Sequence, residues 1–258
     1  MKLRELPDAL MAQGRHTAST EELLELTGLD PAALHSGLHR LRQGGLIISP
    51  ARGLYAVVPA QYRGWGSPPA EWFIDAMMAH LGRDYYIALL TAAAMHGAAH
   101  QAPQSFQVIT EKDVPDRDLG RNRLRFYTSR YIADAVTERR NGPSGYLQLA
   151  TRETTAVDIA QHPRQSGGLS NVATVLIELG ELDGALLGRI AAPRGKATAR
   201  RLGWLLESHR PDVNLDGLRT IALPQQGEPT PLSASGPAAG RLDRAWGLRL
   251  NTDVLADL

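Results

Sequence analysis

Short hydrophobic stripes alternate with capping and turn residues at the start of the chain. Leu3, Leu6 and Leu10 recur at helical spacing and predict a first helix. Ser19 precedes Glu22 by three positions, and this spacing is the signature of a capping box at the start of a second helix. The pattern therefore predicts two short helices before residue 28.

A third helix is predicted over 31–43, because an Asp-Pro pair, typical of helix starts, opens that segment. Leu34, Leu38 and Leu41 fall within about 60° of one another around its axis, which defines a narrow core-facing stripe. The opposite arc carries hydrogen-bond donors and no carboxylate. A helix that faces an anionic surface needs this composition.

Two β-rich runs, 46–48 and 54–58, follow a Gly-Gly stop and are joined by a turn over 49–53. The order helix, helix, helix, hairpin is typical of a winged helix-turn-helix, which we expect over residues 1–60. In that fold the third helix occupies the major groove and the hairpin tip reaches phosphate or the minor groove. An alternative is a winged helix that contacts only proteins. The predicted DNA-binding residues are Ala32, His35, Ser36, His39, Arg40, Arg42, Gln43, Arg52 and Arg63.

A segment rich in Pro and Gly, 59–69, predicts a domain boundary, with a second domain over 67–258. Strands that are followed by helices without regular alternation favour an α+β fold for this larger domain. The expected elements are helices over 71–81 and 85–96, strands over 105–110, 124–129 and 146–150, a broken helical stretch over 154–209, a strand over 219–223 and a loop over 224–240.

Composition narrows the class of protein. The chain has 258 residues, 43% of them hydrophobic, and no cysteine. Disulfides and thiolate metal sites are therefore excluded, and a cytoplasmic location is expected. No apolar run approaches the length of a membrane span, so we expect no membrane contact.

Charge is distributed unevenly, although the formal net charge is only +1. Between Arg117 and Arg140 seven arginines stand against three acidic residues. Alternate residues share one face of a strand, which places Arg121, Arg123 and Arg125 together. This segment fits extended DNA contact, an acidic partner or simply a charged sheet edge.

Catalytic motifs are missing. There is no Gly-x-Ser-x-Gly elbow, and the Gly-Lys pair at 195–196 lacks the other residues of a phosphate loop. His35 and His39 have a spacing that can bind zinc, but neither an adjacent Glu nor a thiolate completes a site. We therefore expect no enzyme activity, cofactor or metal. A further alternative is that the larger domain is an enzyme of an unrecognised type.

Several segments in order resemble the AbiEi family, the antitoxin and regulator half of bacterial abortive-infection systems. In the 151–159 segment the resemblance departs from the family, because Ala156 and Val157 replace a usual Thr-Leu pair. The resembling segments are 53–56, 86–97, 106–110, 124–127, 151–159, 201–207 and 251–258.

The resemblance implies a repressor that binds inverted repeats in the promoter of its own operon. It also implies an antitoxin that counters a nucleotidyltransferase-type toxin. We expect the antitoxicity surface at the local charge excess, on Arg121, Arg123, Arg125 and Arg130.

Overall fold

The computed structural model describes residues 3–99, 103–223 and 228–256. Residues 224–227 of the predicted loop and the last two residues of the AbiEi-like ending lie outside this range. The chain divides into two compact units, each built from separate segments. Their bounds differ from the segments 1–60 and 67–258, whose independent folding stays a prediction. The first unit comprises Met1–Tyr86, Gln104–Ser129 and Arg139–Gln148, and the second comprises Ile87–Pro103, Arg130–Glu138 and Leu149–Leu258.

Three helices and a small sheet open the first unit. After a short 3-10 turn, the helices are α1 (Leu6–Ala12), α2 (Thr20–Thr27) and α3 (Pro31–Gln43). The strands are β1 (Thr17–Ser19), β2 (Ile47–Ala51) and β3 (Leu54–Val57), which form an antiparallel sheet in the order β1-β3-β2. The predicted bounds of α3 are confirmed.

One hydrophobic core joins these elements, and the predicted leucine stripe of α3 lies inside it. The α2 capping box is present: the Glu22 backbone N–H donates to Ser19 Oγ at 3.2 Å, and the Ser19 N–H donates to Glu22 Oε2 at 2.7 Å. Gly37 of α3 lies close to Leu3: a Cβ there would lie 2.8 Å from the Leu3 methyl groups, so a larger residue would displace that side chain. The buried members of this core are Leu6, Leu10, Ala18, Leu23, Leu34, Leu38, Leu41, Ile47 and Val57.

The hairpin turn is shorter than predicted. β2 continues to Ala51 through a register irregularity, so only Arg52 and Gly53 form the turn. Gly53 adopts φ 80°, a left-handed conformation that tight hairpin turns require. The predicted five-residue turn over 49–53 was therefore wrong in length, because a bulge absorbs the Ser-Pro pair within the strand.

Helix α4 (Ile74–Leu81) follows, after 3-10 turns at Ala60–Trp65 and Ala70–Trp72. A mixed six-stranded sheet has the order β6-β7-β5-β4-β9-β8. β5 pairs with β7 and β4 with β9 in parallel, whereas β6 and β7 are antiparallel. Its strands are β4 (Tyr85–Ile87), β5 (Phe106–Thr110), β6 (Arg117–Leu119), β7 (Asn122–Thr128), β8 (Thr137–Gly142) and β9 (Gly145–Ala150).

The predicted single helix over 85–96 was wrong. Tyr85–Ile87 is strand β4, with all three residues buried, and α5 (Leu89–Met95) begins only after it. Leu89, the first residue of α5, has φ 53°, a left-handed conformation that is rare outside glycine and marks the junction between strand and helix. Aromatic and β-branched side chains favour a fully buried strand, and this preference prevails over the apolar helical pattern.

Helices are the main regular elements of the second unit. A small sheet of order β10-β12-β11 accompanies them. The helices are α5, α6 (Arg152–Gln161), α7 (Leu169–Glu178), α8 (Gly184–Ala191), α9 (Lys196–His209) and α10 (Asp216–Ala222). The strands are β10 (Thr230–Pro231), β11 (Arg241–Asp243) and β12 (Leu248–Leu250).

The predicted strand over 219–223 was also wrong, because residues 219–222 belong to α10 and Leu223 is its C-cap. Gly188 of α8 and Gly217 of α10 face each other so closely that a Cβ on Gly217 would lie 3.1 Å from the Gly188 Cα. Leu218 and Ala222, one helical turn apart, are buried. This packing of α10 against α8 explains why the segment is helical. The predicted mixed α+β class is confirmed. Among the described residues no helix is long and apolar enough to cross a membrane.

Candidate nucleic-acid interface

The outer face of α3 is fully accessible to a partner. Asp30 caps the helix, since its Oδ1 accepts hydrogen bonds at 3.0 Å from the backbone N–H groups of Ala32 and Ala33. The leucine stripe fixes the opposite face in the core, so the polar arc is presented as a row. All seven candidate residues of this helix are exposed, namely Ala32, His35, Ser36, His39, Arg40, Arg42 and Gln43.

Residues 31–70 carry positively charged side chains and no negatively charged ones. Residues 31–70 contain no Asp or Glu, but they include Arg40, Arg42, Arg52 and Arg63. All four arginines are exposed. A long segment with cations and no carboxylate produces a positive potential that attracts phosphates.

The hairpin tip is held by backbone acceptors, while the Arg52 side chain remains exposed. His80 Nε2 donates to the Arg52 carbonyl oxygen at 2.9 Å. The Gly53 carbonyl accepts from the Thr20 backbone N–H at 2.8 Å and from the Thr20 hydroxyl at 3.2 Å. The tip therefore has a defined position relative to α2 and α4.

A groove of about 390 Å³ runs beside the C-terminal end of α3. His39, Arg42 and Gln43 form one wall, and residues 47–49 of β2 and 118–120, at the end of β6 and the start of the β6–β7 turn, complete the lining. Sequence spacing gave no signal for this groove, because the turn lies far from α3 along the chain.

The β6–β7 turn is tied to the segment that was predicted as a linker. Ser67 Oγ donates to the Leu119 carbonyl at 2.7 Å, and Asn122 Nδ2 donates to the Pro68 carbonyl at 2.6 Å. Gly120 has φ 56°, and a Cβ on it would lie 2.3 Å from the Trp65 carbonyl oxygen. The turn and the linker segment therefore pack backbone against backbone.

The predicted antitoxicity arginines have different surroundings. Arg123 is exposed in β7, but Arg121 precedes that strand and lies in the turn, so the expected single strand face was wrong for Arg121. Arg125 pairs with Asp118 at 2.8 Å and with Asp116 at 3.6 Å. The hydrogen bond that Arg125 donates to Asp118 raises the pKa of Arg125. Arg130 belongs to the second unit, where its guanidinium lies 4.8 Å from the Tyr131 ring centre.

The second unit contains a buried ion pair. Arg194 donates to Asp158, and their side chains are 1% and 0% exposed. Gln161 Oε1 accepts a further hydrogen bond from Arg194 at 3.0 Å. Burial lowers the pKa of the nearby His162, an effect that Asp158 opposes and Arg194 reinforces.

The 201–207 segment of the predicted resemblance has a structural explanation. A Cβ on Gly203 would lie 2.1 Å from the buried ring of Trp246, so only glycine leaves room for that ring. Glu207 accepts a hydrogen bond from Trp246 Nε1 at 2.7 Å. The departure at Ala156 and Val157 falls on two fully buried positions of α6, so it alters core packing.

Metal binding finds no support in 3–99, 103–223 and 228–256, since these residues contain no group of three or more His, Asp or Glu side chains that could hold an ion. His35 and His39 are exposed on α3.

This chain is a mixed α+β protein with an exposed, carboxylate-free helix in its first unit. Residues 86–208 match the model of the AbiEi antitoxin C-terminal domain, which confirms the resemblance drawn from the sequence. The protein therefore carries an AbiEi-type antitoxin domain over residues 86–208, and this match supports an antitoxin role in a toxin–antitoxin system. The matched segment includes residues of both units.

The fold is similar to that in the crystal structure of the RV2827C protein from Mycobacterium tuberculosis. The TM-score is 0.69 at 17% sequence identity, and the alignment covers 95% of this chain and 89% of that chain. A search among curated proteins found no matching sequence.

Proposed function

We propose that the N-terminal helices and hairpin form a winged helix-turn-helix that binds double-stranded DNA, with α3 in the major groove. Support comes from the element order α1-β1-α2-α3-β2-β3 and the sheet order β1-β3-β2. The short 3-residue β1 and the two-residue hairpin turn suit this fold. In this arrangement base-edge contacts come from α3 and phosphate contacts from the arginines around it.

The observation that carries the proposal is the absence of carboxylates from the exposed arc of α3 and from residues 31–70 as a whole. A helix surface that only faces water usually mixes both signs of charge. The neighbouring helix α2 has the opposite composition, with exposed Glu21, Glu22 and Glu25 and no Lys or Arg. The contrast between two adjacent helices selects α3 as the surface for an anionic partner.

We assign two linked roles to the protein in the cytoplasm, both regulatory and neither catalytic. As a repressor it binds inverted repeats in the promoter of its own toxin–antitoxin operon. As an antitoxin it counters a toxin of the nucleotidyltransferase class through the arginines at 121, 123, 125 and 130. The AbiEi antitoxin match supports the second role, and the carboxylate-free helix supports the first.

Fluorescence anisotropy with the full chain tests the DNA-binding role. The labelled DNA is the region immediately upstream of the operon, compared with a shuffled duplex of equal length and composition at physiological salt. We expect the upstream region to bind at least about 10³-fold more tightly. Equal affinity for the two duplexes would contradict the repressor role. Undetectable binding to both would favour a winged helix that contacts only proteins.

A further inference from the structure

A cavity in the second unit has no part in the proposed DNA interface. Its volume is about 620 Å³, within the range typical of small-molecule sites. It is enclosed by the loop after α6, the start of α7, Arg201 of α9 and two segments near the end of the chain, 233–235 and 252–253. Four separate stretches of chain therefore converge on one space.

Arg201 places a buried positive charge in the wall of this cavity. The residue is only 8% exposed, and burial lowers the pKa of its guanidinium. Its Nε donates to the Leu232 carbonyl and its Nη1 to the Ala160 carbonyl, both at 2.9 Å. Within 3–99, 103–223 and 228–256 no carboxylate forms an ion pair with it. These two neutral acceptors orient the guanidinium without supplying a counter-charge, and burying a charge without one is costly.

The N-terminus of α7 faces the same cavity. The helix has ten residues, and its N-cap, Gly168, has φ 93° and makes no side-chain capping hydrogen bond. Gly168, Leu169 and Ser170 all line the space. Backbone N–H groups at a helix start carry partial positive charge and bind anions such as phosphate.

The remaining polar groups define the rest of the ligand. Hydroxyl groups of Ser233, Ser235 and Thr252 line the cavity together with the exposed Arg164. Asp253 adds one exposed carboxylate, which accepts hydrogen bonds but repels a second anionic group. This combination fits a molecule with one phosphate and with hydroxyl or amino donors.

We propose that this cavity binds a small organic phosphate of the size and chemistry of a nucleoside monophosphate. Arg201 and the start of α7 hold the phosphate, and Asp253 accepts hydrogen bonds from the sugar or base. The site does not depend on the DNA-binding role, since none of the proposed DNA-contacting residues lines it.

Isothermal titration calorimetry of the full chain tests this site with four nucleoside monophosphates, inorganic phosphate and adenosine. We expect saturable binding of at least one nucleotide with Kd below about 1 mM. Adenosine and inorganic phosphate should each bind at least tenfold more weakly. Loss of all nucleotide binding, or equal binding of inorganic phosphate, would overturn the proposal.

Two variants locate the binding without disturbing the core. Ser235→Glu and Arg164→Glu change exposed residues of the lining, whereas Arg189→Glu changes an exposed arginine of α8 outside it. We expect affinity to fall at least tenfold in each of the first two and to stay unchanged in the third. If all three bind as the wild type does, the ligand lies elsewhere and the proposal is wrong.

Discussion

The backbone N–H of Arg121 donates to the carbonyl oxygen of Trp65 at 2.9 Å, and the Arg121 guanidinium lies 5.6 Å from the centre of the Trp65 ring. An exposed cation–π contact of this kind contributes about 0.5–1 kcal/mol. Together the two contacts fix an exposed arginine beside the 3-10 turn that carries Arg63. Both cations therefore belong to a defined surface of the first unit.

The close approach of the backbone at Gly120 to the backbone at Trp65 predicts the effect of Gly120→Ala. A Cβ at this position would lie 2.3 Å from the Trp65 carbonyl oxygen, in a left-handed conformation that alone costs about 1–2 kcal/mol. We expect urea denaturation to show a free energy of unfolding lower by at least about 2 kcal/mol. Gly64→Ala, where a Cβ has no neighbour within 4 Å, is the control. Equal stability of the two variants would contradict the backbone contact.

Removing the polar row of α3 tests its role in sequence recognition. Ser36, His39 and Arg40 are exposed, so changing all three to alanine should leave the circular dichroism spectrum unchanged. Each good base contact contributes about 1–3 kcal/mol, and specific affinity for the upstream DNA should fall accordingly. A triple variant with the same residue types, Arg189, Ser208 and His209 changed to alanine, should bind as the wild type does. Unchanged specific affinity after the α3 substitutions would show that another element reads the bases.

Salt dependence tests the phosphate contacts. We expect replacement of Arg42, Arg52 and Arg63 by alanine to weaken binding to specific and shuffled DNA alike. Each lost phosphate contact should reduce the slope of log K against log salt concentration by about 0.9. A variant that loses sequence preference but keeps the wild-type slope would place these arginines on base edges.

Charge reversal separates antitoxicity from DNA binding. Arg121→Glu with Arg123→Glu changes two exposed cations and spares Arg125, which is already paired with Asp118. We expect cells that express the cognate toxin to lose protection, while the protein stays folded and its melting temperature falls by only a few degrees through loss of the Arg121–Trp65 contact. Arg189→Glu with Arg241→Glu makes the same charge change in the second unit and should still protect. If protection persists in the first variant and its DNA affinity falls instead, the arginines serve the DNA interface.

The lowered pKa of His162 predicts how the stability of the folded protein depends on pH. Burial lowers its pKa in the folded protein below the unfolded value of about 6.5, so the unfolded chain binds the proton more readily. The stability that the neutral His162 side chain gives to the folded protein is fully present above about pH 6.5. As the pH falls toward the folded pKa this stability is lost, and the free energy of unfolding decreases by at most about 1.4 kcal/mol per pH unit. His162→Gln should therefore lose less stability than the wild type between about pH 7.5 and 5.5. Denaturation at both pH values, with His209→Gln as control, measures this, and an equal loss in wild type and His162→Gln would refute it.

Local patterns predicted the elements whose determinants lie within one or two turns of chain. The capping pair Ser19 and Glu22 and the leucine stripe of α3 are of this kind, and their helices begin where expected. The edge strands β6 and β8 gave no signal, because their mostly polar residues face solvent and lack the alternation of a half-buried strand. The strand at 85–87 was misread because burial on both faces removes that alternation too.

The candidate interface was predictable only in part. The sequence of α3 alone predicts its exposed row of polar residues. The position of the nearby β6–β7 turn could not be predicted in this way, because it depends on tertiary contacts with the segment 60–69. The pairing of Arg125 with Asp116 and Asp118 was likewise hidden, since a strand register decides which charges meet. The cavity around Arg201 is assembled from distant stretches, and no spacing rule connects them.

The discontinuous make-up of the first unit sets an order of events during translation. A ribosome must add residue 148, more than half of the 258, before that unit has all of its parts. Residues 87–103 of the second unit are synthesised earlier than the closing segment Arg139–Gln148 of the first. The ribosome therefore synthesises all residues of the small three-helix core first, and segments of the two units then follow one another in alternation.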